Sequence, residues 1–263
     1  MKKTKLINGK KIFCINSQEA QILHKHITGY FDEFINFNDN DTIVDIGANI
    51  GIFGLELSDR YKNINIFCFE PIPNTFKVLN KNAINSKNIN FRTYNYGISN
   101  KSESIEFTYF PNATALSSSN GEIWSSEDEL LEAFIGNLKN APKNWWWKKF
   151  IPSFTYPYFV KQLIKKREQV ICNLKPLKKV INLLSIKNID ILKIDCEGNE
   201  HKVIDGISEK NWDIIQQLII EINDIDGRLL YIKRKLKKLG YKIKINQELG
   251  LEKTNLYNLF AKK

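Results

Sequence analysis

The sequence predicts an α/β chain folded around a mainly parallel, doubly wound sheet. Three observations carry that prediction. From Asp41 onward, short apolar runs alternate with amphipathic stretches, the pattern of parallel strands joined by crossover helices. The first run passes straight into glycines and then a helix, "DTIVDIGANIGIFG", an arrangement that makes room for a nucleotide-like ligand. The rhythm breaks between about residues 121 and 169 and then resumes, so the break reads as an insertion within one domain.

Residues 1–40 read as an extension, with a strand candidate in "KIFCI" and a helix over "SQEAQILHKHITGYFDEF". The main domain, residues 41–263, opens with strand "TIVDIG", helix "GIFGLELSDRY", strand "INIFCFE", helix "PNTFKVLNKNAIN" and strand "INFRTYNYGI". "SIEFTYF" adds an extended segment. The insertion holds "WSSEDELLEAFIGNL", the aromatic "NWWWKKFIPSFTYPYF" and the basic amphipathic "FVKQLIKKREQ". Pro142, Pro152 and Pro157 prevent it from being one helix. Then follow helix "LKKVINLLSI", strand "IDILKID", helix "EHKVIDGI", strand "QLIIEI" and helix "RLLYIKRKLKKLG", which stops at Gly240. "YKIKIN" and "NLYNLFAK" close the chain as an antiparallel pair.

Apolar residues make up 43% of the 263, enough for a sizeable core. The N-terminal "MKKTKLINGKKIFCI" lacks the apolar run of a signal peptide, and no stretch reaches the roughly 20 apolar residues of a membrane span. A cytoplasmic protein is expected. Cys14, Cys68, Cys172 and Cys196 form no C-x-x-C pair, so free thiols are expected. The formal charge of +10 comes with no nucleic-acid motif, and Lys is spread along the whole chain. An anionic substrate or a membrane surface fits that charge better than nucleic acid.

Gly47, Gly51 and Gly54 are spaced G-x-x-x-G-x-x-G, not the tighter spacing of a dinucleotide fold, and no Walker lysine follows. Asp45, two positions before the first glycine, would repel a pyrophosphate but suit the cation of an amino acid or a sulfonium. Glu70 ends the second strand, where a carboxylate takes both hydroxyls of a ribose. Adenosine joined to a charged amino acid is S-adenosylmethionine.

"VDIGANIGIFG", "FEPIPNTFKVLNKN", "IDILKIDCEGNEHKVIDGI" and "LIIEIN" resemble, in that order, the motifs of the FkbM-type methyltransferases. "LKIDCEGNE" matches the K-I-D-x-E-G-x-E signature of that family at every fixed position. The resemblance implies a class I methyltransferase fold of seven strands with the last antiparallel. It also implies S-adenosylmethionine as donor and transfer to oxygen on sugars or polyketide-like products. Carried over residue by residue, it places Asp45, Gly47, Asn49 and Gly51 around the methionine moiety and Glu70 on the ribose. Pro71 and Asn74 shape the turn after it, and Asn95 and Gly97 flank the adenine, Gly97 standing where the family usually has alanine.

Methyl transfer needs positioning and a base for the acceptor proton. "IDILKID" delivers Lys193 and Asp195 to one face at the C-terminal end of a strand. Asp195 and Glu197 are the candidate bases, Lys193 a catalytic residue or the ion-pair partner of Asp195, and His201 a further candidate. Glu200 reads as a helix-start residue. Asp195, Glu221 and Asn223 would suit a hard divalent cation such as Mg²⁺. "KNWWWKKF" places Trp145, Trp146 and Trp147 between Lys143 and Lys148/Lys149. That segment either packs on the domain, forms a lid over the acceptor, or meets a membrane interface. The expected activity is O-methylation of a sugar hydroxyl, on a nucleotide-linked sugar or a surface-glycan precursor of anionic character. Natural-product hydroxyl or nitrogen methylation and an inactive cofactor-fold binding module remain open.

Overall fold

The computed structural model describes residues 1–119, 126–141 and 145–263. Pro142, Lys143 and the Gly121 edge of the expected insertion lie outside the described residues. The N-terminus forms a hairpin of β1 (Lys2–Lys5) and β2 (Lys11–Cys14), followed by α1 (Ser17–Thr28). Asn16 caps α1 by accepting from Gln18 N at 2.9 Å and Glu19 N at 3.3 Å. The helix ends at Thr28, six residues short of the Phe34 end that the sequence predicts. Gly29 closes it, and the turn that follows sends Tyr30 into the core.

Alternation then runs β3 (Thr42–Ile46), α2 (Ile52–Arg60), β4 (Asn65–Phe69), α3 (Pro73–Ile84) and β5 (Phe91–Tyr94). After these come β6 (Gly97–Ser99), β7 (Glu103–Tyr109), α4 (Glu127–Asn140), α5 (Tyr156–Lys165) and β8 (Glu168–Pro176). The chain continues through α6 (Leu177–Leu183), β9 (Ile189–Ile194), α7 (Glu200–Asp205), α8 (Glu209–Trp212) and β10 (Ile215–Asn223). It ends with α9 (Arg228–Lys238), β11 (Lys242–Asn246) and β12 (Leu256–Lys262).

Seven strands form the central sheet in the order β11-β12-β10-β9-β3-β4-β5. β10, β9, β3, β4 and β5 are mutually parallel, and β12 runs antiparallel to both its neighbours. Seven strands with the last one antiparallel is what the family resemblance implied; the order comes from the structure. Period-two alternation puts Val44, Ile46, Leu192, Ile194, Leu218 and Ile220 in the apolar layer on one face. Ile43, Ile191, Ile219 and Phe260 lie in the layer on the other. Both faces are dry, so the strands read as near-continuous apolar runs.

Two elements differ from the sequence reading. "INFRTYNYGI" is not one strand: it breaks at Asn95, whose side-chain amide donates to the carbonyls of Glu70 at 3.0 Å and Pro71 at 3.1 Å. The second half, β6, joins a separate three-stranded sheet of order β6-β8-β7. β8, "EQVICNLKP", is a strand that the sequence pattern does not announce, because its exposed positions carry Gln169, Ile171 and Asn173 and blur the alternation.

Candidate active site

The C-terminal ends of β3, β4, β9 and β10 converge on one large cavity, roofed by the β6-β8-β7 sheet and α1. Its cofactor end is made almost entirely of backbone. Gly47 has φ +75°, and a Cβ placed on it would stand 1.7 Å from the carbonyl oxygen of Asp195. The glycine turn therefore lies flush against the end of β9. Gly47 N and Ala48 N donate to Phe69 O at 3.0 and 3.1 Å, tying the turn to β4. Glu70, buried on the cavity wall, accepts from Asn49 N and Ile72 N, each at 3.0 Å. Burial pushes its carboxyl up to about 8, against the pull of those two N–H groups.

Of the residues expected at the cofactor, Gly47, Asn49, Glu70, Pro71 and Gly97 line the cavity. Gly51 starts α2, Asn74 is exposed on α3, and Asn95 holds the turn from behind. Asp45 corrects the expectation. It is fully buried beneath the turn and meets Lys193 Nζ at 3.1 Å, so it does not face a ligand's cation. Strand alternation aims it into the sheet face opposite Val44 and Ile46.

Lys193 is likewise a clamp. Its Nζ also reaches Asp195 Oδ2 at 3.2 Å and Gly47 O at 3.0 Å. Burial works to lower its pKa, but Asp195 and Asp45 outweigh it and hold the ammonium charged, well above the usual lysine range. A permanently charged lysine cannot accept a proton, so the catalytic assignment gives way to the ion pair. His201 is corrected too. It lies on α7 away from the cavity lining, and burial together with Arg228 and Lys202 lowers its pKa. Glu200, the first residue of α7, accepts from Cys196 N at 3.2 Å and Gly198 N at 2.9 Å and so ties down the loop ahead of that helix.

The acceptor end is built from side chains. Asp195, Glu197 and Glu221 line it, each offering a carboxylate oxygen within 4.8 Å of the others. Glu197 sits at φ +50°, a left-handed conformation strained for a side-chain-bearing residue, as happens at functional turns. Burial first, then the carboxylates of Asp195 and Glu221, hold Glu197 well above the usual carboxylate range. Asn223, expected with them, also lines the cavity.

Three residues of this cluster were not anticipated. The Tyr30 hydroxyl stands 3.1 Å from Asp195 Oδ2 and 3.0 Å from Glu221 Oε2, bridging two strand ends. His26 is held between Glu221 on Nε2 and Glu248 on Nδ1. Burial opposes its charge, but those two carboxylates win and raise it well above the usual histidine range. With both ring nitrogens donating, His26 is an imidazolium that fixes carboxylates and is not a free base. His26 lies in the last turn of α1 and Tyr30 just past its end, where their rings meet edge-on at 5.4 Å.

The model of the FkbM methyltransferase domain matches residues 45–243. The chain belongs to this family. FkbM-type enzymes are S-adenosylmethionine-dependent methyltransferases, and this protein is one. It is 26% identical to the 31-O-demethyl-FK506 methyltransferase FkbM of Streptomyces tacrolimicus, over 98% of this chain and 96% of that one. It is 28% identical to methyltransferase sdnD of Sordaria araneosa, over 88% and 85%. Among solved structures, a precorrin-6y C5,15-methyltransferase from Geobacter metallireducens aligns over 92% of this chain and 89% of that one, at 13% identity and a TM-score of 0.45. The cavity suits the FkbM cofactor. With that cofactor bound, Glu70 would take the ribose hydroxyls, the Gly47–Asn49 turn would hold the methionine moiety, and Gly97 with Ile98 would border the adenine, all of them on the cavity lining. Among the described residues no helix is long and apolar enough to cross a membrane. His26 and Glu248 lie outside the matched span, as does Tyr30.

Proposed function

We propose that this FkbM-type enzyme methylates a hydroxyl oxygen, on an acceptor that presents several hydroxyls, as a sugar ring does. The observation that carries the reading is the Asp195–Glu197–Glu221 group facing the cavity beside the cofactor turn. Carboxylates are strong acceptors for the O–H groups of polyols. Bound S-adenosylmethionine supplies the methyl group on a sulfonium. Asp195, oriented by Lys193 and Tyr30, would take the proton of the acceptor hydroxyl as that oxygen is methylated. Glu197 and Glu221 hold neighbouring hydroxyls and fix the line of attack. Lys202, on the same cavity wall, would pair with a diphosphate on the acceptor.

A hydroxyl of a less polar natural product is the second reading. Leu23, Ile27, Leu251 and Leu256 line the same cavity, and the Streptomyces relative is named for such an acceptor. The three carboxylates, with Asn223 on the same cavity wall, would also suit Mg²⁺. The test is a mass-spectrometric screen with S-adenosylmethionine, offering nucleotide sugars, simple glycosides and polyketide alcohols, each with and without chelator. Methylation of a sugar supports the first reading, and turnover of polyketide alcohols alone moves the assignment to the second. An undiminished rate after chelation removes the metal.

A further inference from the structure

Six large aromatic side chains crowd the exposed surface between residues 146 and 159. They are Trp146, Trp147, Phe150, Phe154, Tyr158 and Phe159. Phe154 is 82% exposed, Phe150 74% and Trp146 66%. None of them lines the cavity, so this segment is not a lid closed on the acceptor. Three ring pairs form within the segment: Trp146 meets Phe150 edge-on at 5.9 Å, Tyr158 meets Phe159 at 5.9 Å, and Trp147 stacks on Trp145 at 5.4 Å. Elsewhere among the described residues the large exposed apolar side chains are scattered along the chain. A clustered patch of this kind marks a surface that is covered in use.

The charge around the patch says by what. From Ala141 to Arg167 the chain contains no Asp or Glu. Lys149, Lys161, Lys165 and Arg167 are exposed beside the rings. Two copies of this face set against each other would oppose cation to cation. A nucleotide or sugar would engage a ring or two and leave the rest in water. Aromatic rings seated at headgroup depth, with lysines reaching anionic phosphates, satisfy both features together. The segment is built of short helices, Trp146–Phe150, Ser153–Thr155 and Tyr156–Lys165.

We propose that the 146–167 segment docks this methyltransferase on an anionic lipid bilayer. α5 packs on α4 through Phe134, whose ring lies 5.8 Å from Tyr156 and 6.5 Å from Phe159. α4 in turn lends Ala133 and Asn137 to the cavity wall. Docking therefore holds the cavity beside the membrane surface, within reach of acceptors carried on lipid. That corollary rests on the hydroxyl-methylation reading; the docking itself does not.

The test is co-sedimentation with vesicles, together with tryptophan fluorescence, and needs no turnover. Wild-type protein binds phosphatidylcholine vesicles containing phosphatidylglycerol, stays in solution with phosphatidylcholine alone, and is released as salt rises from about 0.1 to about 0.5 M. F150S/F154S and K149E/K165E each lose at least about tenfold in partitioning, while affinity for S-adenosylhomocysteine holds. If the double phenylalanine variant unfolds, Phe154→Ser alone carries the test. The proposal is overturned if wild type ignores anionic vesicles or if the variants bind like wild type. It is also overturned if light scattering shows a dimer that F150S/F154S dissolves, which would make the patch an interface between two copies.

Discussion

The two ends of the cavity are built on different principles. The cofactor end comes from one continuous stretch, β3 through β6, and its shape is backbone: a glycine turn pressed against β9 and a carboxylate anchored by two N–H groups. The acceptor end is assembled from α1, the ends of β9 and β10, and the loop between β11 and β12, and its shape is side-chain contact. Backbone packing tolerates almost no change of residue at its contact points. Side-chain assembly lets the cluster be rebuilt for another acceptor while the donor site stays as it is.

That contrast can be broken or sharpened in four ways. The largest effect is expected from Asp195→Asn, which removes the proposed base and leaves the cofactor turn intact. kcat should fall by about 10²–10⁴-fold with S-adenosylhomocysteine affinity within a few-fold of wild type by calorimetry. Loss of both together would mean that the two ends are not separable. Next is Gly47→Ala, at the opposite end. Its Cβ meets the Asp195 carbonyl at 1.7 Å on a φ of +75°, so about 2–4 kcal/mol of stability should be lost along with cofactor binding. A variant with unchanged melting and binding would show that the turn is not packed as described.

Tyr30→Phe is a smaller test of the acceptor end. It removes the hydroxyl that bridges Asp195 and Glu221 and should lower kcat by about tenfold, the scale of one hydrogen bond to charged partners. Cofactor affinity should not move, and an unchanged rate would make the bridge incidental. The smallest effect is a pH dependence of the donor end. Burial keeps Glu70 protonated up to about 8 in the free protein, and only the carboxylate can accept both ribose hydroxyls. Cofactor affinity should therefore rise with pH, by up to about tenfold between pH 7 and pH 9, and Glu70→Gln should flatten the curve. The linked stability runs the other way. A folded-state pKa raised above the ordinary 4.5 makes the fold lose stability as pH climbs from there toward 8. Affinity independent of pH in wild type would remove Glu70 from the ribose.

Much of the donor end was legible because local rules govern it. The period-two strands place Glu70, Asp195 and Glu221 at strand ends, and the parallel order follows from the alternation of strand and helix. Asp45 was misjudged because a carboxylate two residues before a glycine turn can face the ligand or the sheet. Only the partner, Lys193 on the neighbouring strand, decides which. The second sheet was missed where β8 carries polar residues outward, and the helix after Ser17 was overextended past Gly29.

By itself, the sequence determined the class of fold, the donor and the signature carboxylates, because periodicity and glycine geometry act over a few residues. Tertiary structure alone decided that Tyr30 bridges Asp195 and Glu221 and that His26 sits between Glu221 and Glu248. Those contacts join residues up to 222 positions apart, and no local spacing encodes them. The same holds for the aromatic segment at 146–159. Its composition was plain from the sequence, but whether its rings faced the core, the cavity or the outside depended on how α4 and α5 pack.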